Sequence, residues 1–476
     1  MDKFFKISER GSTVRTEIIA GLTTFFAMAY IVVVNPSQIA AGGAGGWLVG
    51  KGADAAAMGQ IYNAVFIASV VAAAIGTLLY AFYARLPYAQ ACGMGLNAFF
   101  CTCFVSGAYF AGADVIAGYQ SGLVIILVSG LIFLVLSITG ARQYIAKAMP
   151  ECLKKAIPAG IGLFIAMIGL ANAGLIQTNQ YTFVQFVDIA GGEWAADIAP
   201  AIVAFIGFII IAVLDKLNVK GKVIIGILSS AVLYYLFTWT LPVFDLGQIG
   251  QSFKDFASIG VVGVFKGESW KNAFTADYTG GIFNAIMLIV SFCLVDMFDT
   301  IGTLYGTATE ANMLDENGDP TDIDKAMACD SIATCAGAVL GTSTCTTFVE
   351  SAAGVAAGGK TGLTSVVTGL CFIVCLFLSP VASIIPSAAT APALIYVGVL
   401  MLKNFANVDM SDPRSAVPAF IALLMMPLTY SISNGIGLGA ITYVLITVFT
   451  GKFTKKDIVV TIIAALFITR FALITM

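Results

Sequence analysis

Long apolar runs, separated by short polar or glycine-bearing connections, recur along the whole chain. The first set falls near 16–35, 61–84, 90–105, 114–139, 156–175, 198–214 and 222–238. The second falls near 280–302, 326–341, 346–358, 362–379, 387–402, 416–432 and 434–450. Most approach the ~20 residues an α-helix needs to cross a bilayer. The pattern predicts an all-α polytopic membrane protein of fourteen segments. Residues 1–240 hold the first seven and 280–456 the second seven, with 241–279 an extramembrane loop. An apolar tail at 457–476, carrying Arg470, reads as an interfacial or peripheral helix.

The two sets echo each other. AAAIGTLL (72–79) is answered by AGAVLGTS (336–343), matching Gly76–Thr77 with Gly341–Thr342. Each is followed by a short, glycine-rich, weakly helical stretch, YAQACGMGLNAFF (88–100) and CTTFVESAAGVAAGG (345–359). Seven segments per copy is an odd number, which inverts the second copy in the membrane. Paired short, glycine-interrupted segments at matching places in two halves point to a transporter's midplane site.

Charge sets the orientation. The N-terminal segment carries Lys3, Lys6, Arg10 and Arg15 and lacks the small-residue cleavage site of a signal peptide. Basic flanks stay cytoplasmic, so the first helix runs inside to outside. Alternate threading then puts Arg142, Lys147, Lys154 and Lys155 in one inner loop, and Lys216, Lys220 and Lys222 in another. Lys403 and Arg414 form a third, and Lys452, Lys455 and Lys456 lie at the end, whereas 176–197 has no Lys or Arg. The long 239–279 loop, with Lys254, Lys266 and Lys271, is the exception.

Composition agrees and removes other classes. Hydrophobic residues make up 59% of 476 and charged residues 11%, with a mean hydropathy of +0.94. A soluble enzyme, a disordered chain and a disulfide scaffold are excluded. The net charge of −3 argues against a nucleic-acid partner. The 10 cysteines include no CxxC pair and read as small buried hydrophobes. With 0 histidines, zinc and haem ligation lose their usual ligand and any proton handling falls to carboxylates. No cofactor or metal is implied.

Candidate chemistry follows from carboxylates inside apolar runs. IMLIVSFCLVDMFDTIGTLYGTA (286–308) holds Asp296 and Asp299, three apart and so on one helix face, with Thr303 and Thr307 extending the stripe. A carboxylate at bilayer depth costs ~3 kcal/mol or more and marks a functional site by default. Asp296 and Asp299 are close enough to share one proton. Glu350, in TCTTFVESAAGVAAGGKTG, can accept N–H bonds from a flat heterocycle, and a desolvated carboxylate can also carry a proton near neutrality. Asn97, in the matching stretch, offers donors and an acceptor together. Asn97, Asp299 and Glu350 are expected to line one cavity, with Phe348 or Phe26 stacking on the ligand. Asp330 reads equally as a capping or interfacial residue or as a transport residue.

Two pattern matches are set aside. GVAAGGKT (354–361) satisfies the P-loop pattern, but no soluble α/β domain surrounds it, and GGWLVGK (45–51) fails even on pattern. The acidic stretch 310–324 reads as a solvated turn whose DENGD run lacks calcium-loop spacing.

Four motifs together carry a resemblance that covers nearly the whole chain. TTFFAMAYIVVVNP (23–36), ACGMGLNAFF (91–100), VDMFDTIGTLYG (295–306) and TSTCTTFVESAAGVAAGGKTG (342–362) are similar to the purine branch of the second nucleobase–cation symporter family, the adenine/guanine/hypoxanthine permeases. The resemblance implies two inverted repeats of seven segments, arranged as core and gate domains. It also implies strand-plus-half-helix segments in the third and tenth positions, with the base held between them. By motif, the base-binding residues are Asp299 (with Asp296 one turn before it), Glu350 and Asn97. Thr303 stands where uracil-binding relatives have a histidine. The implied function is import of a purine nucleobase across the cell membrane by proton symport, with alternating access and a tendency to homodimerise. Rival readings are a transporter of another nucleobase or an anion, an ion channel, and a membrane hydrolase with an Asp296–Asp299 dyad.

Overall fold

The computed structural model describes residues 2–40, 55–140, 149–179, 182–311, 313–314 and 320–473. Arg142, Lys147, the stretch 45–51 and the DENGD run at 315–319 lie outside the described residues. Within them, nine helices are long and apolar enough to cross a membrane.

Helix α1 (Val14–Met28) begins at Thr13, whose hydroxyl accepts the Thr16 N–H at 3.1 Å. It passes through a tight turn at Ala29–Tyr30 into α2 (Ile31–Ile39). Helix α3 (Ala55–Leu79) is extended by a π turn to Ala84 and ended by Arg85 in the left-handed region at φ 56°. Strand β1 (Gln90–Cys92) and the half-length helix α4 (Met94–Phe100) follow. Next come α5 (Val115–Thr139), capped by Asp114, and α6 (Glu151–Asn172). The hairpin β2 (Ile176–Asn179) and β3 (Phe183–Phe186) leads to α7 (Ala199–Lys216) and α8 (Lys222–Thr238). The 239–279 loop folds into short helices, of which Gly247–Asp255 lies along α3. There the buried Asp255 accepts Asn63 Nδ2 at 2.8 Å.

The second half contains α9 (Ile282–Ala311), α10 (Ile323–Leu340), β4 (Cys345–Thr347) and the short α11 (Ser351–Ala356). It continues with α12 (Gly362–Val374), α13 (Ser387–Leu402), α14 (Pro413–Leu428) and α15 (Ile432–Phe449). The apolar tail forms α16 (Ile458–Leu473). The two stretches with glycine-interrupted patterns are therefore strand-then-helix units. Their strands pair antiparallel, β1 on β4, with Gln90 opposite Thr347, Ala91 opposite Thr346 and Cys92 opposite Cys345.

The helices sort into two packing groups. One gathers α1, α2, α3, α5, α9, α10, α11 and α12 around the β1–β4 pair; the other gathers α6, α7, α8, α13, α14 and α15. The boundary between them is crossed chiefly by α6 against α4 and α9, by α8 against α1, and by α13 against α2. Tyr80 at the end of α3 donates to the Ala326 carbonyl, and Arg10 donates to the Arg85 carbonyl. The chain start, the end of α3 and the start of α10 thus share one face, and the start of α9 lies at the opposite one.

The P-loop-like turn has a use of its own. Glu17, wholly buried on α1, accepts the backbone N–H of Lys360 at 3.0 Å and of Thr361 at 3.2 Å, and the Thr364 hydroxyl at 2.6 Å. The glycine-rich backbone does cradle an anion, and that anion is the protein's own carboxylate at the N-terminus of α12. Glu17→Ala leaves these donors unpaired at about 1–3 kcal/mol each. Thermal denaturation in detergent is expected to show a markedly lower midpoint for this variant and a smaller drop for Glu17→Gln.

Candidate functional site

Each strand of the crossing is seated by one threonine. In the first half, Thr77 Oγ1 accepts the Gln90 N–H at 3.0 Å and donates to the Gln90 carbonyl at 3.2 Å. In the second, Thr334 Oγ1 accepts the Cys345 N–H at 3.2 Å, and its single proton is shared between the Cys345 carbonyl at 2.9 Å and Asp296 at 2.8 Å. The residue that does the work of Thr77 is therefore Thr334. The sequence echo had paired Thr77 with Thr342, which instead accepts from Asn35 Nδ2 at 3.1 Å. Gly76 lies inside α3, where a Cβ would collide with Gln90, whereas Gly341 ends α10 at φ 108°. Repeated Gly–Thr letters serve two different local geometries.

Glu350 stands at the N-terminus of α11, immediately beyond β4, and is half-buried. Its Oε1 accepts the Tyr30 hydroxyl at 2.6 Å, so the turn between α1 and α2 supports it from the side. Asp299, half-buried on α9, lies within coulombic range of Glu350. Helix α9 packs against both β4 and α11, so two carboxylates from different segments come together beside the end of the strand pair. Lys222, at the start of α8 in the other packing group, is also within coulombic range of Glu350. It is ion-paired to Asp215 and sits 5.7 Å from the Tyr396 ring centroid.

Asp296 lies within coulombic range of both Asp299 and Asp330. It is 1% exposed and accepts the Thr334 hydroxyl at 2.8 Å. Its other oxygen has no partner among the described residues. Asp330 is not a helix cap, since it lies in the middle of α10. It is wholly buried and accepts Gln90 Nε2 at 2.9 Å, the Thr300 hydroxyl at 2.5 Å and the Thr347 hydroxyl at 3.1 Å. One carboxylate thereby ties β1, β4 and α9 together, the α9 tie being Thr300, next to Asp299 in sequence.

Asn97 lies one turn inside α4, not at the helix start that Glu350 occupies in its own unit. It is wholly buried; its Oδ1 accepts the Ser343 hydroxyl, and its Nδ2 has no partner among the described residues. Phe348 is buried, and its N–H donates to the Ala89 carbonyl at 3.0 Å, continuing the strand ladder. Phe26 is half-exposed and packs by the Gly221 turn between α7 and α8. Among the described residues, no group of three or more His, Cys, Asp or Glu side chains could hold a metal ion.

Tyr30, Gln90, Thr300 and Thr334 were not singled out from sequence. Tyr30 and Gln90 lie within the quoted stretches 23–36 and 88–100, but nothing in one sequence tells a bonding hydroxyl or amide from a packed one. Glu350 and Asp299 offer hydrogen-bond acceptors, and Asn97 Nδ2, on the neighbouring strand-then-helix unit, is a donor without a partner among the described residues. That set suits a flat, uncharged, N–H-bearing ligand.

The model of the Permease family that includes xanthine and uracil permeases matches residues 15–438. The chain belongs to this family. It is 39% identical to the guanine/hypoxanthine permease PbuG of Bacillus subtilis, over 95% of each chain. It is 36% identical to the adenine permease AdeP of Escherichia coli, covering 100% of this permease and 96% of that one. In fold it is similar to the transmembrane domain of the cyanobacterium bicarbonate transporter BicA, with a TM-score of 0.60 at 12% identity over 88% and 97% of the two chains. SLC26A9 gives 0.57 at 12% identity over 94% of this chain and 68% of that one. The permease is a multi-pass membrane protein of mostly helical, SLC26-like architecture.

Proposed function

We propose that this permease imports a purine nucleobase across the cell membrane by proton symport, with its N-terminus in the cytoplasm. Its fourteen segments are two inverted repeats of seven. The group around the β1–β4 pair is the core and the other group is the gate. The base binds where β4 meets α11, with Glu350 and Asp299 accepting its N–H groups. The core then rocks against the gate to expose the site to either side. The proton is carried by the site carboxylates, since the chain has 0 histidines.

The observation that carries the reading is the convergence of Glu350 and Asp299 at the end of the strand pair. It occurs in a chain related over its whole length to permeases named for adenine and for guanine/hypoxanthine. Two carboxylates from unlike segments suit a single bound base better than the ring of equivalent groups found in a channel.

The test is uptake of radiolabelled adenine, guanine and hypoxanthine by cells lacking their own purine permeases. Expression of the chain is expected to confer saturable accumulation of at least one base. Absence of accumulation at normal membrane abundance contradicts the reading.

A further inference from the structure

Helix α16 belongs to the gate by its anchorage but reaches the core with its far end. At its entry, Asp457 accepts the Tyr443 hydroxyl at 3.0 Å and lies 3.6 Å from Arg414, both residues of gate helices. Toward its other end Arg470 is 3% exposed, which is unusual for a guanidinium with no carboxylate within 4.0 Å among the described residues. A buried charge without a counter-ion is retained only where its donors are matched.

Arg470 Nη1 donates to Ser433 Oγ at 2.8 Å and to Asn434 Oδ1 at 3.4 Å, both on α15 of the gate. Arg470 Nε donates to Asn284 Oδ1 at 3.1 Å, on the first turn of core helix α9. A second bond crosses the boundary beside it, Ser433 Oγ to Ser291 Oγ at 2.8 Å. Nearer the opposite face, Lys220 Nζ donates to Thr23 Oγ1 at 3.3 Å across the same boundary. The polar ties between core and gate thus occur toward both ends of the boundary between them.

We infer that Arg470 is a lock at the α9 end of the cleft, holding core to gate in the conformation closed there. The inference rests on the alternating-access reading above. When the core moves, Arg470 keeps Ser433 and Asn434, which travel with the helix that carries it, and must release Asn284. The planar fork of arginine can serve two helices at once in a way a lysine ammonium cannot reproduce. Because its acceptors are neutral, the tie can break without separating two opposite charges.

Cys103 is a native reporter, half-buried and close enough to Arg470 to sense its charge. The experiment uses the full-length protein in lipid nanodiscs. A membrane-impermeant maleimide is applied, and modification of Cys103 is followed by mass spectrometry in wild type, Arg470→Gln, Asn284→Ala and the double variant. Each single variant is expected to react at least tenfold faster at Cys103. The double variant should react no faster than either, because both changes remove one interaction. Arg470→Lys should fall between wild type and Arg470→Gln.

Unchanged labelling in Asn284→Ala, or additive effects in the double variant, overturns the lock. Asn284→Ala removes a single acceptor at the helix end, so it decides the matter even where Arg470→Gln folds poorly. The labelling needs no substrate. A wild type that takes up no purine therefore defeats the functional reading, while a flat labelling series defeats the lock alone.

Discussion

Replacing Glu350 by glutamine is expected to lower purine affinity at least tenfold while membrane abundance stays normal. The substitution keeps the shape of the side chain and leaves an amide oxygen to accept the Tyr30 hydroxyl, now bonded at 2.6 Å. It removes the charged acceptor for the base. A hydrogen bond to a charged group is worth roughly 1.5–3 kcal/mol, and each 1.4 kcal/mol is about tenfold in affinity. Isothermal titration of the purified variant with the transported base checks this. Unaltered affinity removes Glu350 from the site and leaves Asp299 as the surviving carboxylate.

The second large effect falls on a residue that touches no ligand in this account. Asp330→Ala takes away the common acceptor of Gln90, Thr300 and Thr347. Leaving buried neutral donors without their acceptor costs about 1–3 kcal/mol each, and three are affected here. Native proteins are stable by only about 5–15 kcal/mol. The variant is therefore expected to give little folded protein, read as loss of the monodisperse peak in fluorescence-detected size exclusion. Asp330→Asn should be milder, because its carbonyl can still receive one or two of the donors. Normal yield and normal uptake in Asp330→Ala would show that the strand crossing is held by its backbone ladder and the two threonine seats alone.

The helices were legible because bilayer-length apolar runs leave little alternative. The strand units at 90–100 and 345–356 were visible only as interruptions in that pattern. Their identity as strands came from the resemblance, since three residues carry too little periodicity to declare themselves. Asp299 and Glu350 stood out as charges with no basic neighbour in their own segments. Asp330 did not, although it is more deeply buried, because a single carboxylate near a helix end has an ordinary explanation in capping. Its three donors come from residues 240, 30 and 17 positions away, a convergence that only the fold creates. The Gly–Thr echo failed for a related reason. The same letters served a close helix–strand contact at Gly76 and a left-handed helix end at Gly341. Arg470 was placed on a tail, and its role could not be read without knowing that the tail folds back onto α15 and α9.

The central claim is proton-coupled purine transport by this chain alone, and reconstitution tests it most directly. Purified protein in liposomes is given radiolabelled hypoxanthine, guanine or adenine with an inward proton gradient imposed and sodium absent. The account predicts accumulation of at least one base above the outside concentration, abolished by a protonophore. Accumulation that requires sodium and ignores the protonophore, or no accumulation of any of the three bases, would contradict it.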